Sequence, residues 1–221
     1  GNKVMSLFPL PPTVLFPQTL LPLHIFEPRY REMVRASLED KRWIGMVLLQ
    51  PGWEDNYFEN PPVEITGGAG EIHQWDLLED GKYNIVLRGT SRFRIVRTIE
   101  GKSFRQAEVQ LLKDINDKPL SSKEDPEIKN LLDKTREYVQ LLSESPWQIS
   151  GQDLTNCKTV GHLTDQIIFF SDLSAENKQS FLEELDIHKR LKTIQSFLEQ
   201  KTALLRRSKY LTEKGVDFRM N

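Results

Sequence analysis

The chain has 221 residues, enough for one large domain or two small ones, and its 38% hydrophobic and 28% charged residues are ordinary for a globular protein. Its formal net charge of −2, from 30 Lys and Arg against 32 Asp and Glu, excludes the overall basic excess typical of proteins that bind nucleic acid. A single cysteine, Cys157, excludes an internal disulfide and any zinc site built from several cysteines.

The apolar stretch near the N-terminus, Leu7 to Phe16, is interrupted by Pro9, Pro11 and Pro12. It lacks the layout of a signal peptide, and no stretch of the chain reaches the roughly 18 apolar residues that a membrane helix needs. The sequence therefore predicts a cytoplasmic protein that has no membrane partner.

Segments with the pattern of β-strands occupy the chain up to about residue 115. Four of them are distinct: Ile44–Leu49, Tyr83–Leu87, Arg92–Val96 and Gln106–Leu112. Glycine and proline turns separate these segments, and one amphipathic helix is predicted over Glu27–Leu38. Closely spaced strands with such turns indicate a small barrel or sandwich, so residues 1–115 are predicted to form a β-rich subdomain.

The remainder of the chain has helical periodicity. Residues 116–125 are predicted to be a short linker and residues 126–221 a helical bundle. Four helices are predicted, starting at Asp125 (N-cap, with Pro126 in the first turn), about Leu154, Ser174 (N-cap) and Asp186 (N-cap). The second is expected to run to Phe170 and to bury the inert thiol of Cys157 on its apolar stripe.

Local motifs for catalysis, metal binding or cofactor binding are missing from the sequence. A phosphate-binding loop that ends in Gly101-Lys102-Ser103 would need glycine where Val96 stands, and a dinucleotide loop from Gly68 would need glycine where His73 stands. The four histidines are scattered and form no His-Glu-x-x-His motif. We therefore predict no catalytic residue, metal or cofactor, with an enzyme whose site is assembled only in space as an alternative.

One segment is distinctive: Leu7–Tyr30 reads LFPLPPTVLFPQTLLPLHIFEPRY. It resembles the opening of the Lon protease N-terminal domain, which has Leu-Phe-Pro-Leu, Val-Leu-Phe-Pro and then Leu-Pro-Leu-x-Ile-Phe-Glu-Pro-Arg-Tyr. Later segments resemble further parts of the family's pattern: Arg42–Val47, Gly67–Ile72, Asp80–Lys82, Gly89–Ile95 and Lys178–Leu191. The likeness covers roughly residues 7–200.

The resemblance implies an α+β fold in which a PUA-like β pseudo-barrel with one inserted helix precedes a helical bundle. In Lon this region helps to engage substrates and to assemble the particle, whereas the ATPase and the Ser-Lys peptidase lie further along the chain. Neither is found in these 221 residues. The resemblance therefore indicates a non-catalytic, stand-alone module that binds unfolded or specific polypeptides, as a substrate receptor or adaptor that works with a separate protease.

The matching motif has a structural interpretation. Its prolines fix φ and prevent helix formation, and its apolar residues fill the barrel. An ion-pair set of Glu27, Arg29 and Arg31 is expected to lock the corner between strand and helix. The residues assigned this structural role are Pro17, Pro22, Phe26, Glu27, Pro28, Arg29 and Tyr30.

Aromatic residues in a polar, turn-rich stretch are the candidates for polypeptide contact. Trp53, Tyr57 and Phe58 lie in PGWEDNYFENPP, which is longer and more acidic than the family's pattern leads us to expect. Trp147, between two predicted helices, is a second candidate. The alternative interpretation is that these side chains fold back beneath their loops as small apolar clusters.

RNA binding is a further alternative, because PUA-like barrels often bind RNA. Residues 81–105 contain seven basic residues and one acidic residue, and Arg92 and Arg94 are predicted to share an outward strand face. The candidate phosphate contacts are Arg88, Arg92, Arg94 and Arg97. A solvated strand face that protects a sheet edge explains the same pattern, and the balanced charge of the chain argues against nucleic acid as a partner.

Overall fold

The computed structural model describes residues 1–122, 124–143 and 156–215. The chain forms two compact units. The first contains Gly1–Asp114 and Asp165–Leu185, and the second contains Ile115–Thr164 and Asp186–Asn221. None of the described helices combines the length and the apolar content needed to cross a membrane.

Six strands form the sheet of the first unit. They are β1 (Lys3–Pro9), β2 (Leu20–Ile25), β3 (Trp43–Val47), β4 (Thr66–Leu77), β5 (Tyr83–Ile99) and β6 (Arg105–Leu112). The sequence divides β5 into two predicted strands, whereas the structure has one strand of 17 residues. Small residues between its two apolar runs, Gly89-Thr90-Ser91, weaken the strand pattern there without ending the backbone pairing.

The length of β5 allows the sheet to close. The strand order is β2-β5-β4-β3-β1-β6, and β5 also pairs with β6, so that five strands form a ring and β2 lies outside it on β5. Residues 83–88 of β5 pair with β2, and residues 92–99 pair with β6. The predicted α+β class, with a β-barrel followed by a helical region, is confirmed.

The core of the barrel is closed by the predicted helix, α1 (Pro28–Leu38). Its buried residues Tyr30, Met33 and Val34 join the apolar side chains of the strands. Pro28 occupies the first turn, where the missing N–H would have no helical partner. Burying these side chains removes the helix's apolar stripe from water and fixes α1 on the sheet.

The segment Leu15–Pro17 crosses the barrel wall at very close range. A Cβ atom at Gly68 would stand 2.0 Å from the carbonyl oxygen of Leu15, and one at Gly89 would stand 1.9 Å from that of Phe16. Only glycine permits this approach. The Val-Leu-Phe-Pro motif and two glycines that lie much later in the sequence therefore form one packing unit.

Four more helices are described after the barrel strands: α2 (Pro126–Ser143), α3 (Val160–Phe169), α4 (Ala175–Glu183) and α5 (Ile187–Glu213). The predicted caps are confirmed. Oxygen atoms of Asp125, Ser174 and Asp186 accept backbone N–H bonds from residues 127, 177 and 188. These bonds satisfy donors that the first helical turn leaves without intrahelical partners.

The helix predicted to start near Leu154 starts later. Leu154 lies outside the described residues, and residues 156–159 are not helical. Thr159 is the reason: its hydroxyl accepts the N–H of His162 at 3.1 Å and caps α3, while its backbone forms a β-bridge with Pro119. Cys157 is half-buried ahead of the helix, so the prediction that it lies on a helical stripe is wrong.

The second unit is built around α2 and α5. The rings of Tyr138 and Phe197 meet edge to face with centroids 6.0 Å apart. Ion pairs join Lys134 to Glu199 and Arg206 to Glu137 on the exposed sides of the two helices. Both helices also bury aliphatic residues: Ile128 and Leu131 on α2, and Ile194 and Leu198 on α5.

A buried ion pair explains why residues 165–185 belong to the first unit, although the sequence places them in the helical bundle. The Arg92 side chain is 2% exposed and donates two bonds to the Asp165 carboxylate, at 2.9 and 2.7 Å. Its Nε also donates to the carbonyl of Leu182 at 2.8 Å. The prediction that Arg92 shares a solvated strand face with Arg94 is therefore wrong, because residues 165–185 cover it.

Burial acts to lower the pKa of Arg92, but the charge and hydrogen bonds of Asp165 more than offset this effect and raise the pKa above its ordinary value. The guanidinium thus stays charged although it is buried, and the Asp165 carboxylate is needed to stabilise its charge. Removing either member of such a pair leaves an uncompensated buried charge.

We expect Arg92→Met to lower the free energy of unfolding by about 3–5 kcal/mol, because the Asp165 carboxylate would remain buried without the charge of the Arg92 guanidinium. Equilibrium urea unfolding measures the change. Arg94→Met is the matched control two residues along β5. Arg94 is exposed and donates to the side chain of Gln110, so we expect a change within about 0.5 kcal/mol. Equal losses in the two variants would contradict this account of Arg92.

Candidate functional site

The candidate aromatic residues lie on one loop, residues 51–61, which we call the aromatic loop. Its base is closed by backbone bonds from Gln50 N–H to the Pro62 carbonyl, 2.9 Å, and from Glu64 N–H to the Leu48 carbonyl, 2.8 Å. Gly52 has φ +91°, a left-handed conformation that turns the chain out of the sheet. Two short 3₁₀ turns follow, Trp53–Asp55 and Tyr57–Glu59.

The structure brings the three predicted aromatic side chains together in a chain of edge contacts. The ring centroids of Trp53 and Tyr57 are 5.9 Å apart, and those of Tyr57 and Phe58 are 5.0 Å apart. Trp53 and Tyr57 are half-buried, whereas Phe58 is 80% exposed. Tyr57 is thus the middle of the cluster. The rings of its two neighbours are partly exposed, because the loop does not cover them.

The distinctive sequence motif anchors this loop. The Tyr57 hydroxyl donates to Glu27 Oε1 at 2.7 Å, and Arg29 Nε pairs with Glu27 Oε2 at 3.2 Å. Arg29 also donates to the Tyr57 carbonyl at 3.4 Å, and its guanidinium lies 5.5 Å from the Tyr57 ring centre. The predicted pair of Glu27 and Arg29 forms, but Arg31 is not part of it, because its guanidinium reaches the Asp80 carbonyl instead.

A groove opens beside the loop, entirely within the first unit. We call it the Trp53 groove; its volume is about 460 Å³, within the range of pockets that hold small molecules or side chains. Its apolar lining consists of Pro11, Pro12, Leu48, Leu49, Pro51 and Trp53. The rest of the lining comes from Gly52, Glu54, Glu64, Ala175, Glu176, Gln179, Ser180 and Glu183.

Helix α4 supplies one wall of the groove through its helical spacing. Glu176, Ser180 and Glu183 lie on one face at intervals of four and three residues, while Phe181 and Leu182 are buried on the other side. Buried Gln179 fixes the helix by donating to the Thr66 carbonyl at 2.9 Å. Sequence reasoning missed this wall, since nothing in the sequence of α4 indicates that it lies beside Trp53.

The other groove residues come from two further parts of the chain. Pro11 and Pro12 belong to the distinctive motif, and Leu48 and Leu49 follow β3. Their types suit a barrel core equally well, so the sequence carries no signal that assigns them to a groove. Only the sequence prediction that Trp53 lies on a loop points to this surface. Trp147, the second predicted contact, lies outside the described residues.

The four arginines proposed as phosphate contacts differ in burial and in the protein groups that they contact. Arg92 is buried, and Arg88 pairs with Glu71 on β4 at 3.7 Å. Arg94 donates to Gln110 at 2.7 Å, and Arg97 pairs with Glu108 at 2.5 Å, both on β6. Burial removes Arg92 from the proposed phosphate contacts, and each of the other three guanidinium groups has a protein acceptor beside it. RNA binding through these three stays a prediction.

Among residues 1–122, 124–143 and 156–215, no three side chains of His, Cys, Asp or Glu are grouped so that they could hold a metal ion. The described groove offers groups for non-covalent contact. They are an indole ring, aliphatic and proline side chains, and carboxylate oxygens along its sides. These groups suit non-covalent recognition of a chain that carries apolar side chains.

Comparison with known proteins finds relatives along most of the chain. The family model of the ATP-dependent protease La (LON) substrate-binding domain matches residues 4–200. Lon protease 2 of Myxococcus xanthus is 27% identical over 217 residues, and the Lon protease of Dictyoglomus thermophilum is 24% identical over 203 residues. These matches cover 93% and 92% of this chain but only 24% and 25% of the relatives. The chain thus spans about a quarter of the length of the curated relatives it matches.

Two solved structures have a similar fold. The Lon N-terminal domain protein from Xanthomonas campestris is 25% identical, with a TM-score of 0.63, covering 88% of this chain and 98% of that one. The N-terminal domain of the Mycobacterium avium complex Lon protease is 17% identical, with a TM-score of 0.67, covering 91% of this chain and 98% of that one. At that identity the second comparison concerns the fold alone.

The anchor of the aromatic loop makes a testable prediction about Tyr57. Burial has the largest effect on the pKa of Tyr57, followed by the hydrogen bond and charge of Glu27, and together they raise this pKa to about 12. An unfolded tyrosine ionises near 10, so the unfolded chain releases this proton first as the pH rises. The stabilising contribution is present below about pH 10 and is lost between about 10 and 12.

The difference in phenolate absorbance between wild type and Tyr57→Phe reports the ionisation of Tyr57. We expect this difference to titrate with a midpoint near pH 12. Glu27→Gln should lower that midpoint, because it removes the negative charge beside the phenol but retains a hydrogen-bond acceptor. A Tyr57 component that titrates near 10 in the folded wild type would show that the loop is not anchored in this way.

Proposed function

The chain belongs to the family of ATP-dependent protease La (Lon) substrate-binding domains, and from this premise we propose that it binds polypeptide segments in the Trp53 groove. The observation that carries the proposal is the position of Trp53. Its half-buried indole is held by Tyr57 at one side of a groove with a proline and leucine lining. A rigid aromatic side chain beside an apolar groove is a typical anchor for binding.

The composition of the groove favours a polypeptide over a compact polar ligand. Its apolar lining offers burial to aliphatic or aromatic side chains, which gain about 1.5–3 kcal/mol each when they are fully removed from water. Unfolded chains expose such side chains in large numbers, whereas folded proteins hide most of them. Phe58, outside the groove lining and 80% exposed, provides a second apolar contact on the same loop.

The proposed role is recognition without catalysis. The matching family model describes a substrate-binding domain, and the described groove offers contact surfaces. In this proposal the residues of the chain hold a polypeptide as a substrate receptor or adaptor. Hydrolysis takes place at a protease site elsewhere, such as on a separate protease with which the module cooperates.

Substitution of the indole tests the proposal directly. We expect Trp53→Ala to weaken binding of a labelled unfolded polypeptide, such as a reduced and alkylated protein, by about tenfold or more, as is typical when a central aromatic contact is removed. Fluorescence anisotropy measures the dissociation constants. Trp75→Ala is the matched control, because Trp75 is also partly exposed but stacks on Arg42 away from the groove.

The proposal fails if wild type binds no unfolded polypeptide, or if Trp53→Ala and Trp75→Ala bind it as tightly as wild type does. Circular dichroism and thermal unfolding of both variants establish that each remains folded. Loss of binding in the Trp53 variant alone supports the groove as the site.

A further inference from the structure

The ionisable residues that line the Trp53 groove all carry the same sign of charge. Glu54 comes from the aromatic loop, Glu64 from the segment that closes the base of the loop, and Glu176 and Glu183 from α4. Among the groove-lining residues that the structure describes, none is Lys, Arg or His. Three separate segments of the chain therefore bring four carboxylates, a formal charge of −4, to one apolar depression.

Among the described residues, no cation is paired with these carboxylates. Within the described part of the chain, none of the four makes an ion pair within 4 Å, and Glu183 accepts only a bond from the neutral amide of Gln179, at 3.1 Å. Other glutamates of the first unit do have ion pairs: Glu27 pairs with Arg29, and Glu32 pairs with Arg35 at 2.6 Å. The described groove lining thus carries four carboxylates without a paired cation.

Uncompensated charges of one sign around a concave surface concentrate the electrostatic potential there. The potential attracts cationic groups, with which carboxylates form charge-assisted hydrogen bonds, and repels anionic groups. Because the carboxylates share the lining with apolar residues, the favoured ligand combines an apolar side chain with adjacent positive charge. Lysine and arginine are the side chains that supply this charge in polypeptides.

We propose that the Trp53 groove selects polypeptide segments in which an apolar residue is flanked by lysine or arginine, and discriminates against acidic segments. The inference rests on the proposed function, since it names the class of segment that this same groove takes. The apolar lining contacts the apolar residue of the segment, and the four carboxylates determine the selectivity between segments. Glu54, Glu176 and Glu183 are exposed, so their influence is screened by salt.

Three labelled peptides of equal length test the selectivity. They share the same central apolar residues, and the flanking positions are lysine and arginine in the first, serine and glutamine in the second, and glutamate in the third. In anisotropy titrations at low salt we expect wild type to bind the basic peptide roughly tenfold more tightly than the neutral one and the acidic one most weakly. The difference should shrink at high ionic strength.

A double substitution assigns the selectivity to the groove. Glu176→Gln/Glu183→Gln removes two charges, and the glutamine amide oxygen at position 183 can still accept the bond from Gln179. We expect it to reduce the ratio between the affinities for the basic and the neutral peptide by several-fold. Glu79→Gln/Glu100→Gln is the charge-matched control, because both residues are exposed and lie outside the groove lining.

The outcomes separate the two proposals. If wild type binds all three peptides equally, or prefers the acidic one, the selectivity is overturned while binding in the groove stands. Equal loss of preference in both double variants also overturns it, because the effect would then follow from net charge. If wild type binds none of the peptides and no unfolded polypeptide, the proposed function fails, and the selectivity fails with it.

Discussion

The guanidinium of Arg92 cannot be buried without a partner, and this requirement organises the first unit. The cation extends from β5 and is met by the Asp165 carboxylate and the Leu182 carbonyl. A bidentate pair tolerates little displacement, so residues 165–185 are held in one position on the barrel. Helix α4 lies within that segment, and with it one wall of the Trp53 groove. The buried charge and the candidate site are therefore parts of one arrangement.

The opposite side of the groove is positioned by a second polar cluster. Glu27 and Arg29, at the corner between β2 and α1, bond to Tyr57 and so fix the aromatic loop from beneath. Tyr57 in turn contacts both Trp53 and Phe58. A half-buried indole held in one orientation loses less conformational freedom on binding than one on a mobile loop does. The motif thus has a structural role that serves recognition.

These two anchors leave an apolar surface with uncompensated carboxylates, in a chain that belongs to a substrate-binding family. Apolar contact alone discriminates poorly among unfolded polypeptides, because most of them expose aliphatic and aromatic residues. Charges of one sign around the same contact add discrimination through repulsion as well as attraction. The proposed preference for basic segments would therefore limit which exposed segments are held.

The sequence by itself determined a β-rich first part with α1 inserted, helices capped by Asp125, Ser174 and Asp186, and a loop that carries Trp53. It did not mark β1, β2 and β4 as separate strands. Periodicity, capping and turn chemistry act over a few residues, and a single sequence displays them. Only the tertiary structure decided that Arg92 is buried, that β5 is one strand, and that α4 faces the aromatic loop. Each depends on residues far apart in the chain, and an alternating strand pattern cannot distinguish an arginine facing water from one facing a buried carboxylate.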